Sequence, residues 1–218
     1  MSSERARDIR DPIGLWRWLL GFTLVYIGLR ILGAVLFAAI HTPALAETLV
    51  ARDFITWGSI AYDLWPLFYL VCIVLTCLIT YRMMKNLHEL GSAQDEISPF
   101  WSVAYYFVPF ANLIMPVQAV GQIWRGTFWH EERPRQPNGL IALWWASLLL
   151  ALGIGIFGAS GPTDTGEFKI MFGFDTSDVT TPAAAAASAV SGLAAVFFVN
   201  VFGPIARGQS KLIKTTAF

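Results

Sequence analysis

Charge is scarce in this chain. Asp, Glu, Lys and Arg make up 14% of its 218 residues, against about 25% in a typical soluble domain. That deficit excludes an ordinary water-solvated surface. Fifteen basic residues balance fifteen acidic ones, so there is no net positive field of the kind that draws nucleic acid. Cysteine is nearly absent: Cys72 and Cys77 stand five residues apart in one apolar run. On a helix they fall on different faces, which argues against a disulfide or a shared metal. His41, His88 and His130 are scattered, and neither His88-Glu89 nor His130-Glu131-Glu132 has a ligand spacing such as His-Glu-x-x-His. The glycines between Gly153 and Gly158 lie inside an apolar run rather than between a strand and a helix, so they make no phosphate loop. No nucleophile elbow is present. No catalytic residue, cofactor or metal is therefore expected, and the chain reads as a non-enzyme.

What the chain has instead is apolar length. It is 56% hydrophobic with a mean hydropathy of +0.56. A helix needs about 20 apolar residues to cross a hydrocarbon core of about 30 Å. Four segments meet that need: about 14–40, 57–81, 139–159 and 182–205. Asp11 and Pro12 precede the first, as a helix start prefers. The start MSSERARDIRDP is polar, and the run after it is too long for a signal-peptide core, so it is expected to be a retained span.

A fifth apolar stretch, residues 100–124, needs separate judgement. It is rich in aromatics, which prefer the headgroup level, and it holds Pro109 and Pro116, which break or kink a helix. Charge decides between the two topologies. If the stretch does not cross, the cytoplasmic side holds Arg5, Arg7, Arg10, Arg82, Lys85, Arg125, Arg133, Arg135, Arg207, Lys211 and Lys214, and the outer loops hold only Arg52 and Lys169. If it crosses, that separation is lost. The expected fold is therefore all-α: a single membrane domain, 1–218, with four transmembrane helices. One kinked interfacial or re-entrant helix, about 100–124, lies on the cytoplasmic side. Residues 161–181 are expected to form an acidic outer loop, with both termini cytoplasmic. Trp16, Trp18, Trp57, Trp101, Trp124 and Trp129 are expected near the interfaces.

The run from Thr80 to Thr127 carries a family resemblance. Tyr81-Arg82 with Asn86-Leu87, the Ser98-Pro99-x-Trp101 entry, the core of Pro109, Asn112, Leu113 and Pro116, and the closing Trp124-Arg125 resemble the bacterial membrane family known as domain of unknown function 4328. The resemblance implies a multi-pass bacterial membrane protein and carries no activity with it.

Two constellations stand out. Arg30 and Asp63 each fall inside an expected span, where a charge costs about 2.5–3.5 kcal/mol on insertion scales. At helical rise they lie about 15 Å and about 9 Å from the outer ends of adjacent spans. An Arg side chain reaches across that difference, so an intramembrane ion pair is expected, with Tyr26 or Ser59 as further partners. The second constellation is Trp101, Tyr105, Tyr106, Pro109, Asn112, Pro116, Trp124 and Arg125, an interfacial lipid or partner surface to which Gln118 and Gln122 add amides. There the Asn112 amide is expected to satisfy carbonyls freed by Pro116. The cytoplasmic basic residues suit anionic headgroups. Small residues at Ala151, Gly155 and Ala159, and at Ala184, Ser188 and Gly192, are spaced for close packing of spans three and four.

The expected function is that of an accessory or assembly subunit of a larger inner-membrane complex, with membrane lipids and other subunits as partners. The alternative is a small transporter or lipid-handling protein that uses Arg30 and Asp63 as a polar path.

Overall fold

A computed structural model describes residues 9–42, 48–91, 97–129, 138–158 and 182–216. Among these the chain is all-α. It has seven α-helices and no strand: α1 Ile13–Ile40, α2 Leu49–Tyr62, α3 Trp65–Leu90, α4 Pro99–Ala104, α5 Met115–Thr127, α6 Asn138–Gly158 and α7 Pro182–Thr216. A single 3-10 turn, Ala111–Leu113, separates α4 from α5. The expected outer loop 161–181 lies outside the described residues, as do Arg5, Arg7, Arg133 and Arg135.

Among the described residues three helices are long and apolar enough to cross a membrane: α1, α3 and the stretch Ala185–Thr215 of α7. In their most apolar windows only 33%, 22% and 33% of the residues are buried. Most of their apolar side chains therefore face outward. Water would not tolerate so much exposed Leu, Val and Ile; lipid accepts it.

The second expected span differs from the structure. The sequence places it at 57–81, but 57–62 belong to α2, and α3 begins only at Trp65 and runs on to Leu90. Asp63 and Leu64 form the turn between them. Pro66, second in α3, has no N–H and disfavours helical geometry in the residue before it, so the two helices cannot fuse there. The last span differs too. The sequence ends it near Ile205, yet α7 continues to Thr216. It is about 52 Å long at helical rise, well beyond the bilayer core.

The chain packs as two compact units. The first draws on 1–21, 72–145 and 197–218. Its core gathers the ends of several helices: Leu19 of α1; Ile79, Met83, Met84 and Leu87 of α3; Val120 and Ile123 of α5; Ile141 of α6; and Val201, Phe202, Ile205 and Ala206 of α7. Trp16, expected at an interface, is buried here and lies 6.2 Å from the Phe198 ring. Trp144 packs edge-on to Phe202 at 5.4 Å. Helix α7 passes so close to the end of α5 that a Cβ at Gly208 would lie 2.8 Å from the Phe128 ring.

The second unit draws on 22–71 and 146–196. Leu36 is fully buried there and lies over Gly58 of α2. Aromatic pairs join α1 to α3: Phe22 with Phe68 at 5.9 Å, and Tyr26 with Tyr69 at 5.7 Å. The small face of α7 meets α1 at Gly192, where a Cβ would lie 3.8 Å from the Cβ of Arg30. The expected small face on α6 runs past the described side chains at Gly155 and past the described residues at Ala159.

Candidate functional site

In the second unit Arg30 is the focus. It is 6% exposed. Its Nε donates to Ser191 Oγ at 2.7 Å, and Ser191 in turn donates to the Ser188 carbonyl at 3.0 Å. The guanidinium lies 4.4 Å above the Trp65 ring and 5.8 Å from that of Tyr26. A cation over Trp in a desolvated setting is worth about 2 kcal/mol, and a charged hydrogen bond about 1.5–3 kcal/mol. Together these match the cost of holding a guanidinium at membrane depth on insertion scales, about 2.5–3.5 kcal/mol. Asp63 is exposed in the turn before α3 and is not among these partners. The contacts described for Arg30 are with a hydroxyl and two aromatic faces. On a continuous span each charge would have a depth. The break at 63–64 takes Asp63 out of the helix altogether.

In the first unit the polar centre is one that spacing did not suggest. Asn86 on α3 grips the backbone of Arg10 from both sides: its Oδ1 accepts from the Arg10 N–H at 3.2 Å and its Nδ2 donates to the Arg10 carbonyl at 2.9 Å. Asn86 Nδ2 also donates to Gln209 Oε1 at 3.3 Å. Gln209 on α7 donates from Nε2 to the Met83 carbonyl at 3.0 Å and to Thr127 Oγ1 at 3.3 Å. One residue along, Ser210 donates to Asp11 Oδ2 at 2.8 Å, while Asp11 Oδ1 accepts from Ile13 N and caps α1. Two amide side chains thus tie α3, α5, α7 and the segment before α1. The signal for this centre was present. Phe202, Ile205, Ala206, Gln209 and Ile213 recur at helical spacing, so Gln209, inside the polar run Arg207–Lys211, continues the apolar stripe.

The expected surface at 100–124 is not one kinked helix and not one face. Helix α4 ends at Ala104 with Ser98 as its N-cap, and α5 starts at Met115. Pro116 is second in α5 and buried, so it starts a helix instead of kinking one. The N–H that Pro116 lacks leaves the Asn112 carbonyl open, and Trp145 Nε1 of α6 takes it at 2.7 Å. The expected donor was the Asn112 amide. Its Oδ1 is instead buried without a hydrogen bond. Tyr106 turns inward, edge-on to Trp145 at 5.5 Å, and its hydroxyl faces Thr80 of α3. Both hydroxyls are buried and neither has a partner at hydrogen-bonding distance. Trp101, stacked on Tyr105 at 5.4 Å, faces outward, as do Pro109 and Arg125; Trp124 packs against Phe128 at 4.8 Å.

An all-α chain whose long apolar helices turn most of their side chains outward is a membrane protein. It belongs to the family described as Domain of unknown function (DUF4328), whose model matches residues 42–202. The match takes in Asn86 and the 97–129 segment; Arg30 and Gln209 lie outside it. Neither a curated protein nor a solved structure matches the chain.

Proposed function

We propose that this chain is a non-catalytic accessory or assembly subunit of a larger bacterial inner-membrane complex. It crosses the bilayer four times, with both termini in the cytoplasm. The observation that carries the reading is the Asn86–Gln209 centre, where buried amides are committed to helices and backbone. Such groups fix helix register, while the outward apolar faces remain for lipid and neighbouring subunits. Helix α6 supplies the fourth crossing: its 21 residues rise about 31 Å. Helices α4 and α5, of 6 and 13 residues, are too short to cross.

A transporter or lipid-handling reading has less support. It rests on Arg30 and Asp63 sharing a polar path, and Asp63 stands in the exposed turn. Gentle solubilisation followed by native sizing tests the proposal. The chain should migrate with partner subunits well above its own 24.1 kDa; migration only as a free monomer defeats the accessory role.

A further inference from the structure

From Ile97 to Trp124 the chain has no acidic, basic or histidine residue. Within that stretch Phe100, Phe107, Phe110, Leu113 and Ile114 each leave more than half their surface exposed, although the segment is not a spanning helix. Three observations fix what covers them.

The first is depth. Tyr106 faces Thr80 and Cys77 of α3, and Cys77 lies about 7–8 Å along the helix from Arg82, toward the apolar interior. The Asn112 carbonyl meets Trp145, about 10 Å into α6 from its start. The segment therefore leans on the interior of two apolar helices rather than on their ends.

The second is backbone pairing. Nine of the twelve N–H groups between Tyr105 and Gln118 donate to carbonyls within residues 101–114. Pro109 and Pro116 have no N–H to satisfy, and the Asn112 carbonyl takes the Trp145 indole. Internal pairing of this kind is what irregular backbone at membrane depth requires.

The third is strain. Ala111 N donates to the Pro109 carbonyl at 2.8 Å across Phe110, whose φ is 64° and ψ −47°. This is the positive-φ γ-turn, rare and strained, here around an aromatic residue. Phe110 is 87% exposed, so nothing else in the chain offsets that cost.

We propose that residues 99–114 form a re-entrant hairpin that inserts Phe107, Phe110, Leu113 and Ile114 among the acyl chains of one leaflet. The occupant is lipid rather than protein because the stretch carries no charge over 28 residues and leans on the interior of apolar helices, at the depth of the acyl chains. The exposed apolar faces of α3 at Val74 and Leu78 continue the same solvent. The inference rests on the membrane reading and not on the accessory role.

The test uses the full chain with Cys72→Ser and Cys77→Ser, in vesicles of phosphatidylcholine and phosphatidylglycerol. Spin labels are placed singly at Phe110→Cys, Leu78→Cys and Lys211→Cys, and collisions with oxygen and with a water-soluble nickel chelate are compared. Phe110 should match Leu78, with oxygen favoured several-fold over nickel relative to Lys211. A Phe110 label that favours nickel beside a lipid-like Leu78 puts the hairpin in water and overturns the proposal. A Phe110 label shielded from both reagents places protein on the hairpin and overturns it equally. A Leu78 label that favours nickel overturns the membrane reading and the hairpin together. Should the cysteine-free chain fail to fold, a benzoylphenylalanine at position 110 of the natural chain gives a second readout. A phospholipid adduct supports insertion, and a protein adduct defeats it.

Discussion

Arg30 shows how a hydroxyl and aromatic faces help one charge settle at membrane depth. Its contacts need a flat cation: the Nε points at Ser191 while the plane lies over Trp65. Lys keeps the charge but has neither the fork nor the plane. Arg30→Lys should therefore destabilise by about 1–3 kcal/mol, the worth of the lost charged hydrogen bond. Arg30→Met should cost less, because removing a buried charge whole is often neutral. Thermal unfolding in one detergent compares them; a Lys variant as stable as the parent would show that the planar contacts carry no weight. Tyr106 makes the opposite case. Its buried hydroxyl has no hydrogen bond, and such a group costs about 1–3 kcal/mol, so Tyr106→Phe should stabilise by about 1 kcal/mol. Thermal unfolding of the two in one detergent checks this; a Tyr106→Phe variant less stable than the parent would show that the hydroxyl is satisfied.

At the scale of elements, composition revealed the apolar helices and proline revealed where the chain breaks, but not what each break becomes. Pro109 and Pro116 were legible as interruptions of 100–124. That they frame a γ-turn and a helix start depends on Trp145, 29 residues beyond Pro116, reaching the Asn112 carbonyl. Likewise Pro66 was visible in sequence, yet a hydropathy reading runs straight through it, because hydropathy sums side chains and ignores a missing N–H. The end of α7 was lost for the converse reason: Gln209 and Ser210 look solvated in composition and are buried in fact. The Trp145 contact can be tested on its own. Trp145→Phe keeps the ring against Tyr106 but removes the donor and leaves a carbonyl open. Amides of Asn112 to Gln118 should then exchange faster, by about tenfold for each 1.4 kcal/mol lost, with amides of α1 unchanged. Unchanged exchange in that segment would mean the indole bond does not hold the turn.

For the whole molecule the question is which side each end occupies, and the proposed four crossings make a definite prediction. If α4 and α5 do not cross, α3 and α6 both have their 99–127-facing ends on one side. The end of α3 with Arg82 and Lys85 then shares that side with Arg125, and four crossings bring Arg10 and the end of α7 with Arg207, Lys211 and Lys214 there too. Basic flanks set orientation toward the cytoplasm. Lys211 is exposed, so a cysteine there reports its compartment without disturbing the core. In intact cells Lys211→Cys should resist a membrane-impermeant maleimide and react fully once the membrane is opened, with the parent chain measuring the background of Cys72 and Cys77. Labelling before permeabilisation would put the end of α7 outside. Either the crossings are odd in number, because α6 does not cross or residues 99–127 span, or all four are inverted; the charge argument falls in each case.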